Sequence, residues 1–86
     1  MILFNLERKT FTMISLHMVK SGDLCRVQWI LLEDSLIETL KNVGFVVDEM
    51  IRVLSNSGGN IVCTFSGKTI ALDSSTAEKI KVCLTQ

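Results

Sequence analysis

The sequence predicts a mainly β fold, a small closed barrel of about five short strands with one short α-helix inserted after the first. Three observations lead there. Residues 24–32 alternate at the strand period and are rich in β-branched and aromatic side chains. Residues 35–43 instead repeat their apolar positions at helical spacing. The remaining apolar runs are short and separated by glycine-bearing turns, and closing such a set of strands removes the edges that would otherwise aggregate.

The first strand, 24–32, places Cys25, Val27, Trp29 and Leu31 on one face and Arg26 and Gln28 on the other, so the first set is expected inward. The helix, 35–43, opens on Ser35 with Glu38 three residues on, the spacing of a capping box. Leu36, Ile37, Leu40 and Val43 form its apolar stripe, Lys41 suits the negative C-terminal end, and Gly44 supplies a left-handed cap. A turn at Val47-Asp48 leads into a strand over 49–54, with Ile51 and Val53 inward and Met50 and Leu54 outward. Residues 55–60 read as a turn around Gly58-Gly59, followed by a strand over 61–65 with Ile61, Cys63 and Phe65 inward and Val62 outward. Ser66-Gly67 turns the chain into a strand over 68–72. Asp73 or Ser74 then caps a single helical turn through Lys79, and Ile80, Val82 and Leu84 mark the last strand. Residues 1–12 precede this pattern and are expected to be an N-terminal extension to a domain over 13–86. A strand over 2–6 that pads the barrel edge is the alternative.

A chain of 86 residues has room for one small core. Nine basic and nine acidic residues balance without a block of like charge, which argues against nucleic acid as a partner. Hydrophobic residues make up 48%, a high share for so small a domain, so some apolar side chains must stay exposed; scattered singly they need no explanation, whereas a contiguous patch would point to a protein partner or an oligomer. The apolar opening Met1-Ile2-Leu3-Phe4 is cut short by Asn5 and Glu7, far below a signal-peptide core or the roughly 20 residues that span a bilayer. Direct membrane insertion is therefore not expected. Cys25, Cys63 and Cys83 are odd in number and lack a C-x-x-C pair, which fits a reducing cytoplasm better than a disulfide framework or a zinc knuckle.

Few residues could carry chemistry. His17 is the only histidine and has no carboxylate at metal-ligand spacing, so it reads as a lone surface residue. Cys25 and Cys63 have inward parity and read as small core residues, whereas Cys83 has outward parity and is expected to expose its thiol. The carboxylates fall at caps, turns and polar faces, and nothing pairs a nucleophile with a base and an orienting group. Ser57-Gly58-Gly59-Asn60 joins two strands rather than opening a helix, which makes it a hairpin and not a phosphate cradle. No catalytic, cofactor or metal residue is assigned. The outward parity of Met50, Leu54 and Val62 makes the outer face of the hairpin over 49–65 the candidate partner surface, with Leu54 near Val62.

The order and spacing of Leu16-x-x-Val19-Lys20-Ser21-Gly22, Val43-Gly44-Phe45, Gly67-x-x-Ile70-Ala71-Leu72 and Ala77-x-x-Ile80-x-Val82 resemble the FeoA family. The resemblance spans 16–82, and Met13 stands where a chain of typical family length would start. It implies an SH3-like barrel and a non-enzymatic, cytosolic accessory role in ferrous iron uptake through contact with the cytosolic part of the FeoB transporter. The family is often labelled as binding transition metals, for which no ligand set is visible in this sequence. The chain departs from the family pattern at three places: Ser21 stands where proline is usual, Val47-Asp48 where Pro-Gly is usual, and Thr39 where a basic residue often precedes the helix leucine, here Leu40. The rival readings are a regulatory module like the barrel of iron-dependent repressors of the diphtheria-toxin repressor type, and a structural protein that forms homo-oligomers.

Overall fold

The computed structural model describes residues 13–85; the expected extension at 1–12 and the alternative strand over 2–6 lie outside the described residues. Within them six strands form one antiparallel sheet, one more than expected. These are β1 (Met13–Ser15), β2 (Leu24–Ile30), β3 (Met50–Ser57), β4 (Asn60–Phe65), β5 (Lys68–Leu72) and β6 (Ile80–Leu84), in the spatial order β1-β6-β2-β3-β4-β5. A 3-10 turn, Leu16–Met18, follows β1. Helix α1 (Asp34–Asn42) joins β2 to β3, and α2 (Ser74–Glu78) joins β5 to β6. The core gathers Val27, Ile51, Val53, Ile61, Ile80 and Val82 from the strands, with Leu16, Val19, Phe45 and Ala77 from the connections. The expected mainly β architecture with a helix after the strand at residue 24 is what forms.

Helix α1 starts two residues earlier than its capping-box signature implies, since that signature would make Ser35 the N-cap. Glu33 is the N-cap and makes no side-chain cap, so Ser35 lies inside the first turn, where its carbonyl accepts a bond from Thr39 Oγ1 at 3.0 Å. The far end follows the sequence closely. Gly44 takes φ +92°, its amide donates to the Lys41 carbonyl at 3.0 Å and the Phe45 amide to that of Leu40 at 2.9 Å, the paired bonds of a Schellman motif. That turn drives Phe45 into the core, edge-on to Phe65 with ring centroids 5.6 Å apart. Leu40 and Val43 pack on the core while Leu36, expected on the same stripe, stays exposed.

The strand over 24–32 departs from simple alternation. Val27 pairs with Val82 but Trp29 with Lys81, so Gln28 is an extra residue in a β-bulge. One inserted residue exchanges the two faces. Cys25 and Val27 are buried as expected, but Trp29 is 57% exposed and Leu31 is exposed too, while Ile30 turns onto the core opposite Ile80. A second bulge lies in β3, where Val53 pairs with Cys63 and Ser55 with Val62, leaving Leu54 between them. Residues 55–57, read as turn from the sequence, continue β3, and Gly58-Gly59 alone make the hairpin turn.

Candidate functional site

The outer face of the β3-β4 hairpin presents the three residues singled out by parity, to different degrees. Leu54 is 47% exposed on its bulge, whereas Met50, opposite Arg26, and Val62, between Ser55 and Ala71, are half-buried. The backbone beneath Leu54 is fixed from the preceding turn. Ser21 Oγ donates to the Leu54 carbonyl at 2.8 Å, the Gly22 amide to the Val53 carbonyl at 2.6 Å, and Arg52 Nη1 to the Gly22 carbonyl at 2.8 Å. Ser21 thus holds by a hydrogen bond a turn that proline would hold by its ring. The result is an exposed leucine on a sheet surface whose backbone is held by these bonds.

Apolar grooves also open elsewhere among the described residues. Met13, Ile14, Ser15, Trp29, Leu31 and Lys81 line one of about 400 Å³. Sequence reasoning missed it because Trp29 and Leu31 were assigned inward; a bulge leaves no periodic sign before the register is known. The second groove, about 220 Å³, lies between α1 and β5 and includes Leu36, Thr39, Leu40 and Ala71. Thr39 brings a neutral hydroxyl to this wall, already bonded to the helix backbone, where a basic side chain would bring charge.

The thiols and the histidine form no reaction centre. Cys25 and Cys63 are buried, as expected. Burial, then the neighbouring Cys63 and Asp23, pushes the Cys25 thiol up to about 12, and burial pushes Cys63 up to about 11. Both stay protonated at neutral pH, poor nucleophiles and poor metal ligands. Cys83, expected to be exposed, is buried: β1 and β2 flank it on both sides and Gln28 Nε2 lies 3.1 Å from its sulfur. His17, expected at the surface, is half-buried in the 3-10 turn with Nδ1 enclosed and without a hydrogen-bond partner among the described residues. Among the described residues no three His, Cys, Asp or Glu side chains come together as a metal site. No helix among them is long and apolar enough to cross a membrane.

The Asp73 carboxyl is held below its ordinary range by hydrogen bonds from Thr76, side chain and backbone, and from Ser75. It is the N-cap of α2, and that role accounts for the shift.

A family model described as the FeoA domain matches residues 14–83. Among solved structures the chain is similar to an iron uptake regulatory protein (FeoA), at 21% identity and a TM-score of 0.78, over 86% of this chain and 100% of that one. It is also similar to the FeoA protein from Chlorobium tepidum, at 22% identity and a TM-score of 0.75, over 85% of this chain and 71% of that one. A manganese-dependent transcriptional repressor matches at 24% identity and a TM-score of 0.77, over 90% of this chain but only 44% of the repressor. At these identities the three structures establish the shared SH3-like fold. A comparison with curated proteins finds no match.

Proposed function

The chain belongs to the FeoA domain family, which is linked to ferrous iron transport, and from that membership we propose that it is a cytosolic, non-enzymatic accessory of ferrous iron uptake. It acts by protein contact with the cytosolic part of a FeoB-type transporter, without a cofactor of its own. On this reading residues 13–86 form the binding domain and 1–12 are an extension to it. The contact lies on the outer face of the β3-β4 hairpin, through Met50, Leu54 and Val62.

The observation that carries the reading is Leu54, a large apolar side chain held out on a bulge whose backbone is clamped by Ser21, Gly22 and Arg52. An exposed leucine on a mobile loop loses entropy when it docks; one on a clamped strand has lost most of it already. Buried thiols of raised pKa and a lone histidine give no support to a resident metal or to nucleophilic catalysis. The test is light scattering and calorimetric titration of the full chain with the cytosolic domain of a FeoB transporter. A saturable complex supports the proposal. Self-association with no complex at micromolar concentrations overturns it in favour of a structural homo-oligomer.

A further inference from the structure

We infer that the outer face of β2 and β3 receives an acidic protein surface, whose carboxylates meet Arg26 and Arg52 beside Met50. The inference deepens the contact proposed at the β3-β4 hairpin and rests on that reading. The six described strands contain no aspartate or glutamate; their charges are Arg26, Arg52, Lys68 and Lys81. In a chain whose nine basic and nine acidic residues balance, the sheet is thus cationic, and the acids among the described residues lie in helices and connections. The acids that flank β2 and β3 are engaged elsewhere: Glu49 accepts from Ser66 Oγ at 2.9 Å, and Asp23 bears on the Cys25 thiol in the core.

Two of the four cations have a place in the fold. Lys81 Nζ donates to Ser15 Oγ and to the Glu78 carbonyl. Lys68 Nζ lies 3.7 Å from where a β-carbon on Gly44 would stand, at the C-terminal end of α1, where helix carbonyls favour positive charge. Arg26 and Arg52 differ. Buried Cys25, Val27, Ile51 and Val53 fix their parity outward, and both are exposed. Arg26 pairs with Met50 and Leu24 with Arg52, so the two arginines are diagonal neighbours on adjacent strands, about 7–8 Å apart by sheet geometry. Like charges so placed repel, and carboxylates set against them turn that cost into attraction. Arg52 Nη1 donates to the Gly22 carbonyl at 2.8 Å, which orients the guanidinium and leaves most of its donors for a partner. A planar group so oriented takes a carboxylate through two parallel bonds. Composition favours protein over other polyanions: arginine and methionine are enriched in protein interfaces, and this face sets Arg26 and Arg52 among Met50, Leu54 and Val62. A lipid surface instead calls for clusters of about 4–8 cations, and two arginines fall short of that.

The test titrates the full chain with the cytosolic domain of a FeoB transporter by calorimetry, at low and at high salt. Arg26→Gln with Arg52→Gln removes both charges, Arg52→Lys keeps the charge but loses the planar fork, and Lys41→Gln removes an exposed charge from α1 as the control. Affinity of the unaltered chain is expected to fall as salt rises. The double variant binds about tenfold more weakly at low salt and with a flatter salt dependence, Arg52→Lys lies between, and Lys41→Gln matches the unaltered chain. Urea melts on the same samples show whether the turn at Gly22 has loosened. If the double variant does not fold, Arg26→Glu supplies the comparison by charge reversal. A complex equally tight and equally salt-sensitive in the double variant overturns this inference and leaves the transport reading standing. No complex with the unaltered chain at micromolar concentrations overturns the transport reading and this inference with it. Binding of the unaltered chain to vesicles of phosphatidylserine and phosphatidylcholine that the double variant loses assigns the arginines to a lipid surface and overturns the inference as well.

Discussion

A β-carbon added to Gly59 would stand 2.8 Å from Cβ of Ser74 and 3.5 Å from that of His17. The hairpin tip is driven into this space by side-chain bonds: the Gly59 amide donates to Asn56 Oδ1 at 2.8 Å, and Asn56 Nδ2 donates to the carbonyls of His17 and Val19 at 2.9 and 2.7 Å. Asn60 Oδ1 accepts from the Ser74 amide at 2.9 Å, so one turn joins the 3-10 segment to the start of α2. Gly59→Ala should lower stability by more than about 2 kcal/mol, from left-handed strain of roughly 1–2 kcal/mol and overpacking of roughly 1–3 kcal/mol. Gly58→Ala, with open space around it, carries only the backbone part. Urea melts of both, and of Gly59→Ala with Ser74→Gly, test this; equal losses at the two glycines would remove the steric argument.

Asp48 occupies a conformation that glycine favours. Its φ is +80° at the third position of a turn closed by the Glu49 amide on the Val46 carbonyl at 3.1 Å, and its own amide donates to the Val27 carbonyl at 2.7 Å. Relief of roughly 1–2 kcal/mol of left-handed strain outweighs the roughly 0.4–1 kcal/mol that a more flexible unfolded chain removes. Asp48→Gly should therefore raise stability by up to about 1 kcal/mol and the melting temperature by a few degrees. A lower melting temperature would show that the Asp48 carboxylate makes a stabilising contribution of its own.

These turns show what was legible in the sequence. Gly44 declared the end of α1, and the parity of Ile51, Val53, Ile61, Cys63 and Phe65 gave the core face of the β3-β4 hairpin, because burial imposes a period that residue types record. Trp29 and Leu31 were misplaced because the bulge at Gln28 shifts the phase by one residue, and Gln28 is as acceptable on an exposed face as in a bulge. Cys83 was misplaced for a related reason. Its outward parity was read correctly along β6, but its cover comes from β1 and Gln28, contacts that depend on the sheet order. Of the candidate surface, Leu54 was found outward as read, while Met50 and Val62 turned out half-buried under their cross-strand neighbours.

The two core thiols make stability fall on the alkaline side. Cys25 at about 12 and Cys63 at about 11 lie above the ordinary 9.0, so both folded and unfolded chains hold these protons below that value and the contribution is fully present. Above pH 9.0 the unfolded chain releases them first, and stability declines until the pH passes the folded values. Cys25→Ala with Cys63→Ala should be less stable at neutral pH, from lost packing, yet lose less further stability between pH 8 and 10.5. Urea midpoints against pH compare the two chains. Parallel alkaline declines would assign the effect to other groups. In the native protein at pH 8, none of the three thiols should react with Ellman's reagent faster than the chain opens.

Leu54 is exposed, its backbone is fixed by Ser21, and its side chain lies between the Cys63 and Val62 levels of the neighbouring strand. A contact centred there would bury Leu54 and the outward side of Val62 together, and residues near an interface centre carry most of its energy. Leu54→Asp and Val62→Lys should each weaken binding to the FeoB cytosolic domain by more than about 1 kcal/mol, because a charge forced into a desolvated centre loses its water without a partner. The two substitutions differ in their effect on the fold. Leu54 has no core role, so its variant should melt almost as the parent does; Val62 is half-buried beside Ala71, so its variant should show a small loss. Binding is measured by calorimetry and stability by urea melts on the same samples. If both variants bind as the unaltered chain does while remaining folded, the contact lies elsewhere, and the groove between α1 and β5 becomes the next surface to test.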